Sequence, residues 1–576
     1  MTTTSTTTST GASTSSSVNT LGSTTYLTGT ASGLDTQSLI TAAVAQKTAP
    51  ADTLDAQVTA NKTKIAAYQQ LQTLVNALST SMSQLAAPTY SAVSTTSTAF
   101  QNKTVSLTSS DSTTASTYLA ASADADAASA SYKIQVTQLA ASEKVASSAM
   151  DQTTALNYTG SFTLQEGSGT AATISVTADM TLSDLATAIN ASSSTSGVSA
   201  SIIKDSTSGY RLVLSGNDTN QAITTTSTSG DDVMTGIGLT GSDGSFSDVL
   251  QADQPAILTV DGSQITSDTN NVTDAVSGLS MSLLNTTPTG TTVTLAVGAD
   301  YSAVKTAVTD FITAYNALRD YITTNQTVGS DGSVDSSEAL FADSLLRSVS
   351  QQVGSLIATP SASATGSYST LANLGITIDS NNDLQLSDET TLDNALLGNL
   401  SQVASMFQTT YTPSDSSLKL LQNTSESSFD FTLDVTAGSD GTITGASVNG
   451  DTNAFTVSGN RIVGVAGTIY AGLSFALVTT GDSSIQVNIK PGLANQLTNF
   501  ASEFGDTSTG LIEQQINTLT TQDTAWTTQS DQIRSDANDY ETTLINKYSN
   551  MEQEVSAAQL VQEQIKAILN GNSSNS

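Results

Sequence analysis

Three groups of residues have types and spacings that could do chemistry. Asp379, Asn381 and Asp383 stand at the first, third and fifth places of a short polar stretch, the spacing at which a calcium loop sets its first oxygen ligands. The sixth place of such a loop needs Gly for its sharp turn, and the twelfth supplies a bidentate Glu. Here those places hold Leu384 and Thr390, so the stretch reads as a polar hairpin turn. Gly464, Gly467 and Gly472 form a glycine-rich run, but no Lys-Ser or Lys-Thr follows to hold a phosphate. Set in alternating sequence, they read as turns and close backbone approach. Asp231 and Asp232 are adjacent carboxylates among small polar residues and read as a solvated loop.

The chain has no His and no Cys. The commonest general base, proton shuttle and metal ligand is therefore missing, and so is any thiolate. A carboxylate pair assembled from distant residues, as in a glycosidase, stays open on sequence alone. Sugar sites, however, usually stack several aromatics, and Trp526 is the only Trp among 5% aromatic residues. The expectation is no enzyme, with no catalytic residue, no cofactor and no metal.

The elements that would position any site come next. A length of 576 residues predicts three to five domains. Charged residues are only 12%, and the formal net charge is -34. Nucleic acid and anionic membranes, which need clustered Lys and Arg, are therefore poor partners. The opening MTTTSTTTSTGASTSSSVNT has no basic or apolar segment, and no run of 18 or more apolar residues occurs anywhere. These signals read as cytoplasmic. A Cys-free chain with a Ser/Thr tail also suits export as an unfolded chain through a narrow channel.

Helical periodicity opens with Leu34, Leu39, Ile40 and Val44, with Ser32 as a possible cap. Leu54, Val58, Asn61, Ile65 and Tyr68 alternate by four and three. After a three-residue slip, Leu71, Val75, Leu78, Met82 and Leu85 continue, and Pro88 ends the run. From Thr36 to Ala86 a continuous helix would reach roughly 75 Å. Near the other end, Ile512, Ile516, Leu519, Asp523, Trp526, Ser530, Ile533, Ala537, Tyr540 and Leu544 keep the same spacing. Tyr548, Met551, Val555 and Ala558 follow after a stutter, in a helix of roughly 85 Å. Two narrow apolar stripes at opposite ends can bury each other and fold the termini into one stalk. The bland alternative packs each stripe on its own globular domain.

Between them the pattern alternates by two, as in YKIQVTQLA (132–140) and GYRLVLSG (209–216). In ILTVDGSQIT (257–266), Asp261-Gly262 is a hairpin turn signal. TLSDLATAIN (181–190) predicts a short helix. Further helices are predicted from Tyr301 to Ile322, from Glu338 to Ile357 and from Leu392 to Phe407. The predicted fold class is α+β multidomain, with long terminal coiled-coil legs and β-rich head domains inserted between them. The expected division is a disordered Ser/Thr-rich tail (1–30), a helical leg (31–98), β-rich head domains (99–300) and a mixed helical domain (301–412). An inserted β-rich domain (413–492), a C-terminal leg pairing with the first (493–570) and a polar tail (571–576) complete it.

With these segments in view, the chain resembles the flagellar hook-associated protein 2 family, the filament cap proteins. The resemblance begins at SGLDTQSLI (32–40) and runs through IAAYQQLQTLVNALSTSMSQL (65–85) and YKIQVTQLA. TLSDLATAIN, GVSASI (197–202) and YRLVLSG are similar to the IN repeat of hook-associated proteins and flagellins. ILTVDG, NNVTDAVSGLSMSLL (270–284), VTLAVGAD (293–300), FITAYNALRDYI (311–322), ADSLLRSV (342–349), LANLGITID, LQLSDETTLDNAL (384–396), VASMFQ (403–408) and DYETTLINKYSNMEQ (539–553) follow in family order. The block at 415–490 departs from shorter members of the family.

The resemblance implies a small homo-oligomeric, pentamer-like ring at the distal tip of the flagellum. It implies flagellin, hook-filament junction proteins and an export chaperone as partners, and export by the flagellar type III route. The contact candidates it implies are the leg-seam residues Leu54, Val58, Ile65, Tyr68, Leu71, Val75, Leu78, Met82, Ile512, Ile516, Leu519, Trp526, Ile533, Tyr540, Leu544, Tyr548 and Met551. Their plain reading is core within one chain; their functional reading is self-assembly or docking. Rival functions are another hook-associated junction protein, a flagellin variant, a surface adhesin with a coiled-coil stalk, and a carbohydrate-active enzyme.

Overall fold

Long stretches with helical periodicity become helices and alternating stretches become strands, giving an α+β multidomain protein. The computed structural model describes residues 18–573 except 22–23, 28–30, 88–97, 206–208, 330–331, 336–337 and 426. The principal helices are α1 (Thr36–Ser83), α2 (Leu182–Ala191), α3 (Tyr301–Thr324), α4 (Ser344–Ala358), α5 (Glu389–Phe407), α6 (Leu493–Gly505) and α7 (Leu511–Ser573). Among the described residues no helix is long and apolar enough to cross a membrane.

The chain forms two units. The first holds residues 1–83, 309–389 and 405–576; the second holds 84–308 and 390–404. In the first unit, α1 runs unbroken through Pro50. That proline has no N–H to give the carbonyl one turn back. Ala51, fully buried beside it, is held by packing. The helix starts on Asp35, whose carboxylate accepts the Ser38 N–H (3.1 Å), so Asp35 is the cap in place of Ser32.

Other boundaries also differ from expectation for local reasons. Most of the tail at 1–30 lies outside the described residues, but Val18–Leu21 and Thr24–Leu27 pair antiparallel, where disorder was expected. The apolar and β-branched residues of these two stretches favour the pairing. The stretch at 493–570 is two helices, because the Asp506 carboxylate turns the chain between α6 and α7 by accepting from Ser508 N (2.9 Å) and Thr509 N (2.7 Å). Likewise α4 begins at Ser344, six residues after the predicted Glu338, because Asp343 accepts from Leu345 N and Leu346 N.

Residues 410–490, in the same unit, form a sandwich of two four-stranded sheets. One orders Thr410–Pro413, Ser483–Lys490, Phe429–Ala437 and Ile443–Val448; the other orders Leu418–Asn423, Leu473–Leu477, Arg461–Gly464 and Phe455–Ser458. Its core is aromatic: the Phe431 ring lies 5.0 Å from Tyr470, 5.9 Å from Phe455 and 6.5 Å from Phe475. Each such side chain adds about 1.5–3 kcal/mol of burial.

The second unit contains two lobes with separate apolar cores. One packs a five-stranded sheet, including Ser131–Gln138, Ala256–Val260 and Val293–Ala299, on a three-stranded one around Val136, Leu258 and Met281. Asp261 (φ 49°) and Gly262 (φ 84°) make the left-handed turn that joins Ala256–Val260 to Ser263–Ser267. The other lobe packs a four-stranded and a three-stranded sheet around Phe162, Leu164 and Leu212. Helix α2 joins that core, capped by Thr181 and Asp184 in a reciprocal box.

Candidate functional site

The carboxylates and glycines singled out by their spacing are engaged in local turns and packing. The Asp379 carboxylate accepts from Asn381 N (2.8 Å) and Asp383 N (2.9 Å), so it is spent on the hairpin turn. Asp231 accepts from Thr159 N (2.8 Å), and Asp232 caps a helical turn through Thr235 N (3.2 Å). A Cβ on Gly464 would meet the Tyr470 carbonyl oxygen, and one on Gly472 would meet the Thr424 hydroxyl, so both serve close packing. Among the described residues no group of three or more Asp or Glu stands where a metal ion would be held.

What the fold builds from the two ends is an antiparallel helix pair. Ser32 and Glu552, Ile40 and Ile545, Asp55 and Ser530, Asn61 and Asp523, and Gln72 and Glu513 meet in turn, numbers rising along α1 as they fall along α7. Val58, Tyr68, Leu71, Val75, Leu78 and Met82 are buried on α1, and Ile512, Ile516 and Leu519 on α7. Leu54, Ile65, Trp526, Ile533, Leu544, Tyr548 and Met551 are half-buried. Tyr540 is 36% exposed, with the Lys47 ammonium 5.4 Å from its ring centroid. In this stretch it is Ile545, beside Leu544, that is buried against Ile40.

The α1 side of the seam is also tied to the helices beneath it. The Tyr68 hydroxyl donates to Asp343 Oδ2 (2.6 Å), and the Tyr321 hydroxyl donates to the Ala67 carbonyl (2.6 Å). Burial and the bond to Asp343 hold the Tyr68 hydroxyl well above the usual range.

Polar residues interrupt the seam, and each finds a partner across it. Asn61 Nδ2 donates to Asp523 Oδ1 at 2.9 Å. Ser530 Oγ donates to Asp55 Oδ1 at 2.6 Å, while the Arg534 guanidinium reaches Asp55 (2.6 Å) and Asp52 (2.7 Å). The Ser530 hydroxyl and then Arg534 hold the Asp55 carboxyl below its ordinary value. Glu552, 3% exposed, accepts from Ala31 N (2.9 Å), Ser32 N (3.1 Å) and the Ser32 hydroxyl; the last of these does most to lower its pKa. Heptad spacing placed Asn61, Asp523 and Ser530 in the seam. It gave no signal for Arg534, Asp52, Asp55 or Glu552, which lie beside the stripe and are chosen by the opposite helix.

Beyond Gln559, which donates to the Ala31 carbonyl (2.6 Å), Leu560, Val561, Ile565, Ile568 and Leu569 are exposed. The pair is therefore unequal in length, with α7 running on past the start of α1.

Family models match the chain in order along its length. The model for the flagellar hook-associated protein 2 N-terminus matches residues 32–143, the flagellin hook IN motif matches 161–218, and the flagellar hook-associated protein 2 C-terminus matches 254–560. The chain is 33% identical over 303 residues to B-type flagellar hook-associated protein 2 of Pseudomonas aeruginosa, a match that spans 48% of this chain and 61% of that protein. It is 31% identical over 366 residues to flagellar hook-associated protein 2 of Escherichia coli O157:H7, across 61% of this chain and 73% of that one. A crystal structure of the D1-D2-D3 domains of the flagellar cap protein FliD from Escherichia coli overlaps 59% of this chain and 90% of its own, at 30% identity and a TM-score of 0.47. With one family model alone matching more than half of its residues, the chain belongs to the flagellar hook-associated protein 2 family.

Proposed function

We propose that this protein is a structural cap at the distal end of the bacterial flagellar filament, that it prevents loss of flagellin and that it guides flagellin folding and insertion as the filament grows. The observation that carries the reading is the antiparallel joining of the two chain ends, Asn61 to Asp523 and Asp55 to Ser530, in a chain that matches the family at both ends. The pair serves as a coiled-coil leg, and the β-rich domains between serve as the head.

Copies of the chain form a small, pentamer-like ring, with flagellin and the hook-filament junction proteins as partners and an export chaperone before secretion. The seam residues that keep surface, Leu54, Ile65, Trp526, Ile533, Tyr540, Leu544, Tyr548 and Met551, supply contacts to flagellin or to a neighbouring copy. Residues buried on the two helices, such as Leu71 and Ile516, hold the leg together. The role is mechanical and needs no catalytic group. The protein works outside the cell, at the flagellar tip, after type III export.

Deleting the gene tests this. Flagellin shed as monomer into the medium, with hooks intact and filaments absent, supports the cap. Filaments of normal length on the deletion strain overturn it.

A further inference from the structure

The two lobes of the second unit are joined by only two passes of chain, one near Ala141 and one near Gln254, which bridge each other (Ala141 N to Gln254 O, 2.9 Å; Gln254 N to Ala141 O, 3.1 Å). Each lobe closes its own apolar core, so no shared core fixes the angle between them. A two-strand crossing of this kind can bend, because a few terminal residues absorb the change in φ and ψ.

One turn spans the crossing. Residues 217–220 belong to the lobe that contains Leu212, yet they reach Asp268 of the other lobe. The Thr219 hydroxyl donates to the Asp268 carbonyl (2.5 Å), and Asn220 Nδ2 donates to Asp268 Oδ1 (2.7 Å). Asn220 N also donates to the Ala141 carbonyl (3.0 Å), which ties the turn to the crossing itself. Asn220 sits at φ 55°, a left-handed conformation that points to a turn shaped for this reach.

The turn is seated from below by a buried carboxylate. Glu166, 6% exposed, accepts from Asp218 N (2.9 Å) and Asn217 N (3.1 Å). Gly197 and Gly216 leave the room it needs, since a Cβ at either would collide with it. Glu143, also buried, accepts from Ile223 N (2.5 Å) at the far end of the segment. A buried carboxylate is costly unless its oxygens are bonded. Glu166 is therefore bound to the turn's conformation, and the turn to it.

We propose that the turn at 217–220 is a latch that fixes the angle between the two lobes, seated by Glu166, and that releasing it from Asp268 lets the lobes bend about the Ala141–Gln254 crossing. The latch is polar and exposed on its outer side, so opening it uncovers no apolar core.

The absence of Cys makes the test direct. Cysteines introduced at exposed Thr187 and Thr273, one in each lobe, take nitroxide labels, and pulsed electron resonance reads the distance between them in the full chain. The unaltered latch should give one narrow peak. Asn220→Gly, which keeps the left-handed backbone, combined with Thr219→Val, should replace that peak with a broad distribution. Glu166→Gln should broaden it as well, with circular dichroism reporting that the fold is kept. A distribution that stays narrow in the folded Asn220→Gly/Thr219→Val variant overturns the proposal. So does one already broad with the latch intact.

Discussion

Asn61 and Asp523 meet side chain to side chain at 2.9 Å, each at most 9% exposed, in the middle of the seam between α1 and α7. Such a pair fixes register more than it stabilises, because an Asn one turn out of step would face an apolar side chain. Asn61→Ala should lower stability by about 1–3 kcal/mol, since it strands a buried carboxylate. The double replacement Asn61→Leu with Asp523→Leu should recover that loss. Urea denaturation followed by helical circular dichroism decides it; a double variant weaker than Asn61→Ala would contradict the argument.

The helix pair should weaken in acid. The Asp55 and Glu552 carboxyls lie below their ordinary values in the fold. Their contribution is therefore complete above the unfolded values of about 4 and is lost as pH falls through the folded ones. Melting of α1 and α7 should hold steady from neutral pH to about 5 and drop below about 4. Glu552→Gln should flatten part of that drop. An unchanged acid limb in this variant would show that Glu552 is not the group responsible.

The second unit should respond in the opposite sense. Burial raises the Glu143 and Glu166 carboxyls above their usual range. A raised folded value means that protonation favours the fold, so this contribution grows as pH falls through it. Exchange of the core strand amides of the second unit, which open only on unfolding, should slow on mild acidification, after correction for intrinsic rates. Faster exchange there would refute the assignment.

Two glycines of one stretch should differ sharply. Gly464→Ala puts a methyl onto the Tyr470 carbonyl and should disrupt the sandwich at 410–490. Gly467 has nothing within 4 Å of a Cβ but lies at φ 86°, so Gly467→Ala should cost about 1–3 kcal/mol from strain alone. Thermal unfolding of the two variants ranks them, and the reverse order would be a failure of the packing argument.

Removing residues 560–576 should leave the α1–α7 pair intact. Leu560, Val561, Ile565, Ile568 and Leu569 are 52–67% exposed and bury little in this chain. The truncated chain should melt within about 0.5 kcal/mol of the full one. A larger loss would mean that the last turns of α7 brace the pair.

Much was legible in the sequence. Four-three spacing marked α1 and α7, because a helix repeats its face every 3.6 residues whatever it packs against. Alternation and Asp261-Gly262 marked the hairpin at 256–267, because a two-residue turn needs left-handed backbone that few residues adopt. The lack of His and Cys set the limits on chemistry, and the order of short motifs pointed to the family.

Tertiary structure decided the partners. Ser32 reads locally as a cap, yet it bonds Glu552, more than 500 residues away, and Asp35 does the capping. Arg534 stands beside the seam stripe and acquires its purpose only when Asp52 and Asp55 arrive from the other end. Glu166 alternates in sequence as a strand residue, and only the fold shows it buried beneath the turn at 217–220. Periodicity reports which face of an element is buried. It carries no record of which distant segment covers that face, because that choice is set by the complementarity of two surfaces that the chain brings together only on folding.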